Sequence, residues 1–350
     1  MNVAEPAPVK TERPFWKQSL EPYARPHVGR AVLDLATSAV PYLALFATML
    51  VLHGDVSYLV ILALAVPASG FLLRTYIMFH DCAHGSFLPG KRANERVGRV
   101  LATIVFTPFA AWRHSHAMHH ATAGDLDRRG DGDVMTWTVA EYRAKPFLSR
   151  LGYRLFRNPL VMFTLGPIYS MMILPRFVKR SQRPRIRRSI LATNAALAVV
   201  VGSLCAVFGV GAFLAVQLPM VLMAGSAGVW LFYVQHQFED AYWERTDTWS
   251  YADAALQGSS YLRLPKVLQF FTGNIGLHHV HHLSARVPNY HLQRAHDANP
   301  IFHDVPTLDF FDGLRAVRLK LWDEEAGRLV TWREERRSRP PRAAAAPAAA

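Results

Sequence analysis

The sequence predicts an all-α, polytopic membrane protein: four transmembrane helices carrying a cytosolic, histidine-rich helical cap. Three observations predict it. The 350 residues gather apolar side chains into four runs of about twenty, long enough to cross a hydrocarbon core of about 30 Å at about 1.5 Å per residue. The 39 Lys and Arg, set against 26 Asp and Glu, collect in blocks between those runs. Histidines recur in three clusters that lie outside the runs.

Taken in order, residues 1–30 hold five prolines with Lys10, Arg13, Lys17, Arg25 and Arg30, and read as a flexible or surface-lying arm. His27 there reads as an ordinary exposed histidine, and the arm lacks the apolar segment of a signal peptide. The first span is expected over 31–52, with Asp34 near enough to its start to reach the interface and a kink at Pro41 that a membrane helix tolerates. His53-Gly54-Asp55 leads into a second span over 56–79, with Arg74 close enough to its end to snorkel. That helix should continue beyond the membrane with His80 and His84 on one face. The run over 99–112 is too short to cross and reads as a re-entrant or interfacial segment. A polar loop follows His120, with several carboxylates, Arg128 and Arg129.

The run over 159–178 is broken by Gly166, Pro167 and Pro175, and reads as a membrane-surface or partly inserted helix pair. The block Lys179–Arg188 carries six positive charges. Two further spans, over 189–208 and 212–234, form a tight hairpin across Gly209 and Gly211. The chain is soluble in character from Glu239, with an amphipathic helix expected over Asp312–Trp332 and a disordered tail over 333–350. The domain reading is thus an arm (1–30), a membrane domain (31–332) whose cap comprises 80–158 and 235–332, and a tail.

The charge distribution orients the spans. The Arg30 end, the 80–158 stretch, the Lys179–Arg188 block and the C-terminal region are basic, whereas the turns at Gly54 and Gly209 have no Lys or Arg. The positive-inside rule then places both termini and every histidine cluster in the cytosol, in a bacterial inner membrane. The net charge of +13 is explained by loops against anionic lipid, without a nucleic-acid partner. Cys82 lies inside a histidine cluster and Cys205 in an apolar run, so neither points to a disulfide framework.

The stretch WRHSHAMHH (112–120) sets His116, His119 and His120 at i, i+3 and i+4, three imidazoles on one side of a helix. GLHHVHH repeats the pattern at His278, His281 and His282, and HDCAH sets His80 and His84 four apart. Neutral imidazole is a ligand for Fe, Zn, Cu and Ni. Eight such ligands exceed what one ion takes and suit two. His236, at the end of the last span, shares their depth and reads as a ninth.

HDCAHGSF, WRHSHAMHH, GLHHVHHLSARVPNY and FYVQHQFED together resemble the histidine boxes of the integral-membrane fatty acid desaturases, with a bacterial acyl-lipid, omega-6-like look. The resemblance covers nearly the whole chain. It implies a di-iron centre that uses O2 and two electrons to dehydrogenate an acyl chain. The ligands it implies are His80, His84, His116, His119, His120, His236, His278, His281 and His282. His114 and His279 fall on variable positions of the pattern. Some relatives carry an Asn one turn before the extra histidine; here that position is Phe232, a departure from them.

Carboxylates and amides should hold the rings in one tautomer, and Asp81, Asp125, Glu239, Asp240 and Asn274 are the candidates. Trp112 and Trp230 are candidate walls of a substrate tunnel, or else interfacial anchors. The expected partners are a fatty acyl lipid, O2, membrane lipid and a separate ferredoxin or cytochrome donor. The donor's docking surface is expected among Arg128, Arg129, the Lys179–Arg188 block, Arg336 and Arg337. A di-iron hydroxylase or ketolase acting on alkane, sterol or carotenoid is the alternative, separated by whether the product loses hydrogen or gains oxygen. A metal or haem transporter would want polar or ionisable groups near the midplane of several spans, where this chain has few.

Overall fold

The computed structural model describes residues 14–130 and 133–339. Four stretches are long and apolar enough to cross a membrane: Val28–Leu52, Tyr58–His84, Pro184–Phe208 and Val210–His236. Each covers an expected span and extends past it at one end or both, except that the second begins at Tyr58, two residues inside the expected 56–79.

Before the first span stands α1 (Phe15–Leu20). Leu20 is 1% exposed and packs with Val280, Leu283 and Leu292 of the cap. Of the flexible and surface-lying alternatives expected for the arm, this part lies docked on the cap; residues 1–13 lie outside the described residues. His27 is exposed, and its Nδ1 accepts from the Arg30 amide to cap the next helix.

The first span is α2 (Val28–Ala36) and α3 (Ala39–Leu52), broken at Thr37 and Ser38. Pro41 explains the break, because it has no N–H to give the Thr37 carbonyl. α4 (Tyr58–His84) is one helix of 27 residues, closed by Gly85 at φ +74°. It packs against α3, the following helix and the last span, so it is the axis of the bundle.

The expectations for Asp34 and Arg74 are corrected here. The two side chains turn inward and pair: Arg74 Nη2 lies 2.9 Å from Asp34 Oδ1, with the side chains 8% and 12% exposed. Arg74 also donates to the Phe270 carbonyl and lies over that ring at 4.1 Å. The two helices adjoin, so pairing takes the place of snorkelling.

α5 (Lys91–Ile104) and α6 (Phe109–Thr122) form the expected non-spanning excursion. They cross where a Cβ on Gly98 would lie 2.1 Å from the Phe109 ring, so any larger residue at 98 would force that ring to shift. The turn between them holds Phe106 at φ 54°, and Arg176 Nη2 donates to its carbonyl at 2.6 Å. α7 (Val139–Ala144) and α8 (Phe147–Phe156) lead to α9 (Pro159–Pro167), which runs on as a π turn and a 3-10 turn to Arg176. α8 and the α9 segment are bent by 70°, consistent with partial insertion.

α10 (Pro184–Phe208) and α11 (Val210–His236) make the second hairpin, joined at Gly209 with φ 86°. The cap follows with α12 (Tyr251–Leu256), α13 (Lys266–Phe271), α14 (His278–Leu283) and α15 (Asn289–Asp297). β1 (Tyr261–Leu262) pairs in parallel with β2 (Thr307–Leu308).

The helix expected over Asp312–Trp332 is not one helix. It resolves into α16 (Phe310–Ala316), an antiparallel hairpin of β3 (Leu319–Asp323) and β4 (Arg328–Thr331), and α17 (Trp332–Arg337). Asp323 Oδ1 accepts from the amides of Glu325 and Ala326, and Gly327 takes φ 61°. That turn chemistry overrides the helical spacing of the apolar residues. The tail is accordingly helical to Arg337, and residues 340–350 lie outside the described residues.

Candidate metal centre

The last turn of α4 supplies His80 and His84, α6 supplies His116, His119 and His120, α11 ends on His236, and α14 supplies His278, His281 and His282. These nine rings form two groups. His80, His84, His116, His120 and His281 make one; His119, His236, His278 and His282 make the other. Within each group one ligand atom per residue lies within 4.8 Å of all the others.

Helix geometry explains the partition. Residues four apart on a helix differ by about 40° around the axis, and adjacent residues by about 100°. His116 and His120 are the pair four apart on α6 and join the first group, while His119 turns to the second. α14 does the reverse: His278 and His282 join the second group and His281 crosses to the first. α6 and α14 thus each serve both groups.

The Nε2 atoms converge. His80 and His120 lie 3.0 and 3.2 Å from His116, and His281 lies 3.0 Å from His120. In the second group His119 lies 3.1 Å from His282, and His236 3.0 Å from His278. His84 Nε2 is buried without a hydrogen-bond partner. Burial first, and neighbouring imidazoles second, hold His116, His120, His278, His281 and His282 well below the ordinary histidine pKa. The rings are therefore neutral at pH 7, with the ligand nitrogens of each group drawn together. A divalent cation that favours imidazole fits such all-nitrogen sets; Mg and Ca, which want oxygen, do not.

The opposite ring nitrogens are fixed from behind. His80 Nδ1 lies 3.0 Å from Asp81 Oδ1, and Asp81 Oδ2 accepts from the backbone N and Nδ2 of Asn289 at 2.8 and 3.0 Å. His119 Nδ1 lies 2.6 Å from Asp133 Oδ1. His236 Nδ1 donates to the Gly258 carbonyl at 3.1 Å. Each contact puts the proton on Nδ1 and leaves Nε2 for the metal.

Of the five supporting candidates, only Asp81 touches one of the nine rings among the described residues. Asp125 accepts from Arg128, Thr246 and two amides, and so shapes its own loop. Glu239 pairs with Arg328 at 2.8 Å, and Asp240 is exposed. Asn274, at φ 60°, donates to the Asn289 carbonyl and stands one link behind Asp81. Asp133, Asn289 and the Gly258 carbonyl escape sequence reasoning. Asp133 lies fourteen residues from its ring, with no periodic pattern to join them.

His114 is exposed. His279 is buried but turned away, with its Nε2 2.9 Å from His296 Nδ1. Arg128 pairs with Asp125 while its side chain stays 46% exposed, and Arg129, 11% exposed, pairs with Glu141. Arg336 and Arg337 are exposed.

A cavity of about 280 Å³ opens from the centre, lined by His80, His116 and His278 with Trp112, Tyr76, Leu73 and Phe232 among its walls. Trp112 stacks on His116 with centroids 4.3 Å apart. Phe232 lies one turn before His236, its ring 5.0 Å from His119. Trp230 does not line this cavity. It sits about 240° around α11 from His236, lines a different apolar groove, and donates to the Gly313 carbonyl at 3.1 Å. Leu73, Tyr76, Met171 and Gly228 connect the cavity to a deeper apolar pocket that reaches Val221 and Ala224.

Residues 55–307 match the fatty acid desaturase family. The chain is 46% identical over 311 residues to a fatty acid desaturase of Bacillus subtilis, covering 89% of this chain and 88% of that one. It is 28% identical over 229 residues to an sn-1 oleoyl-lipid 12-desaturase of Synechocystis, covering 64% of each. It is 29% identical over 242 residues to an sn-1 acyl-lipid omega-3 desaturase (ferredoxin) of the same organism, covering 64% of this chain and 62% of that one. With four spanning helices and nine histidines in two metal-competent groups, the chain belongs to the integral-membrane fatty acid desaturase family.

Proposed function

We propose that this desaturase is an O2-dependent di-iron enzyme acting on an acyl chain carried by a membrane lipid. One observation carries the reading: two all-histidine groups open onto an apolar cavity that continues toward the membrane interior. The five-histidine and four-histidine sets would hold one iron ion each. Bound there, iron supplies the oxidising power that side chains lack, so that O2, two electrons and two protons take two hydrogens from the chain and leave water.

The protein's part is positioning and exclusion. Trp112 and Phe232 close the cavity beside the rings and keep water from the reacting carbons. A methylene chain offers no polar handle, so the cavity must fix which carbons reach the centre by its length and shape. Asp81 and Asp133 hold His80 and His119 with Nε2 inward. The lipid-linked substrate is supported by the two Synechocystis relatives, and a ferredoxin-type donor by the name of one of them. The basic ends of the spans support a cytosolic centre and cytosolic termini in a bacterial inner membrane.

Fatty-acid profiling of a bacterial host that expresses the chain tests this. A new unsaturated acyl species in the glycerolipid fraction is expected, absent without oxygen. A hydroxylated or keto product would instead assign the chemistry to oxygen insertion.

A further inference from the structure

We propose that the face of α10 between Arg185 and Leu204 binds an anionic glycerophospholipid, at a site separate from the histidine-lined cavity. α10 is the least covered span: 17% of its apolar window is buried, against 50% for α4. Arg185, Arg188, Ala192, Ala196, Val200 and Leu204 recur three or four apart, a single stripe down the helix. They line two grooves of about 540 and 460 Å³, and Arg99 and Thr103 of α5 line both. The two grooves therefore form one furrow. Its run of about 28 Å along α10 exceeds the depth of one leaflet's hydrocarbon, about 15 Å.

The furrow is charged at one end only. Arg99, Arg113, Arg185 and Arg188 cluster there, at the end of the bundle where the histidines lie. One carboxylate, Glu95, answers three of them, at 3.8 Å from Arg99, 3.4 Å from Arg113 and 2.6 Å from Arg185. The surplus positive charge matches a phosphodiester, whose oxygens suit the guanidinium fork. A soluble anion would satisfy the arginines and leave the apolar furrow unfilled; an acyl chain fills it.

The substrate cavity is a different place. Among the described residues the furrow shares no lining residue with the histidine-lined cavity. Ile104 and Phe106 line both the furrow and the deep pocket below that cavity, so furrow and pocket adjoin at these two residues while the histidine-lined cavity stays apart from the furrow.

The test uses the full chain in non-ionic detergent, titrated with phosphatidylglycerol, phosphatidylcholine or inorganic phosphate. Native mass spectrometry reads retained lipid, and thermal unfolding reads stabilisation. Phosphatidylglycerol should be retained in preference to phosphatidylcholine and should raise the unfolding temperature. Arg185→Gln with Arg188→Gln should weaken its binding roughly thirtyfold. Ala196→Trp should abolish retention with the arginines in place. Arg183→Gln with Arg187→Gln removes equal charge from the same end of α10 outside the furrow, and should leave binding unchanged. Equal binding of phosphatidylcholine, unaltered binding in Ala196→Trp, equal loss in the control pair, or equal protection by inorganic phosphate would each overturn the proposal.

Discussion

Asp133 reaches His119 across a chain reversal: Oδ1 lies 2.6 Å from Nδ1, with the ring fully buried and the carboxyl 6% exposed. A carboxylate on the far nitrogen fixes the tautomer and raises the basicity of the near one. Asp133→Asn keeps the shape and removes the charge. It should weaken metal binding at the group containing His119 about 10–100-fold and spare the group containing His116. A two-step metal titration of the apoprotein separates the two. Equal weakening at both groups would show that Asp133 acts on the fold and not on its ring.

The deep pocket ends at Val221 and Ala224. If its length measures the acyl chain, Ala224→Phe should lower kcat/KM for the longest accepted chain by about tenfold or more. Metal content should stay at the parent value. An unchanged chain-length profile would mean that the substrate does not extend to this pocket.

Asp34 and Arg74 form a buried ion pair inside the bundle. Asp34→Asn leaves the guanidinium without its charge partner and should cost about 3–5 kcal/mol of stability. Replacing both, with Asp34→Leu and Arg74→Met, should cost clearly less. Thermal unfolding in one detergent compares them, and a double variant as damaged as the single one would refute the pairing argument.

Lys320 is 3% exposed and its Nζ donates to the Arg157 carbonyl at 2.7 Å. Burial, and then the nearby Arg157 charge, lower its pKa to about 7. In the unfolded chain the same amine titrates near 10.5. Between these values the unfolded state binds the extra proton, so stability rises with pH across the window. The penalty is fully present below about pH 7. Lys320→Met should flatten the rise measured by denaturation between pH 7 and 10. A slope identical to the parent's would remove Lys320 as its source.

Arg336 and Arg337 are exposed on the basic C-terminal helix. Reversing both to Glu should slow turnover with an acidic protein donor several-fold and spare turnover with a small chemical reductant. Raised ionic strength should erase the difference between parent and variant. Equal loss with both reductants would assign the arginines to structure.

Residue type and spacing alone determined that this chain has four stretches long and apolar enough to cross a membrane and that its histidines cluster at and beyond the ends of these stretches. Those are local properties: a run of about twenty apolar residues has one way to satisfy its backbone in lipid, and imidazoles three and four apart share a helix side. Tertiary structure decided which histidines work together. His119 neighbours His120 in sequence but serves the other group, because its partners His236 and His278 come from α11 and α14. It also decided that Asp133 and the Gly258 carbonyl hold rings and that Asn289 holds Asp81 behind another, while Asp125 and Glu239 pair with nearby arginines instead. The hairpin at 319–331 escaped for a related reason. Its apolar residues fit helix and strand periods alike, and the choice fell to an Asp323 turn and to burial of both strands against the cap. Contacts between residues distant in the chain leave no period in it, so only the folded chain reveals them.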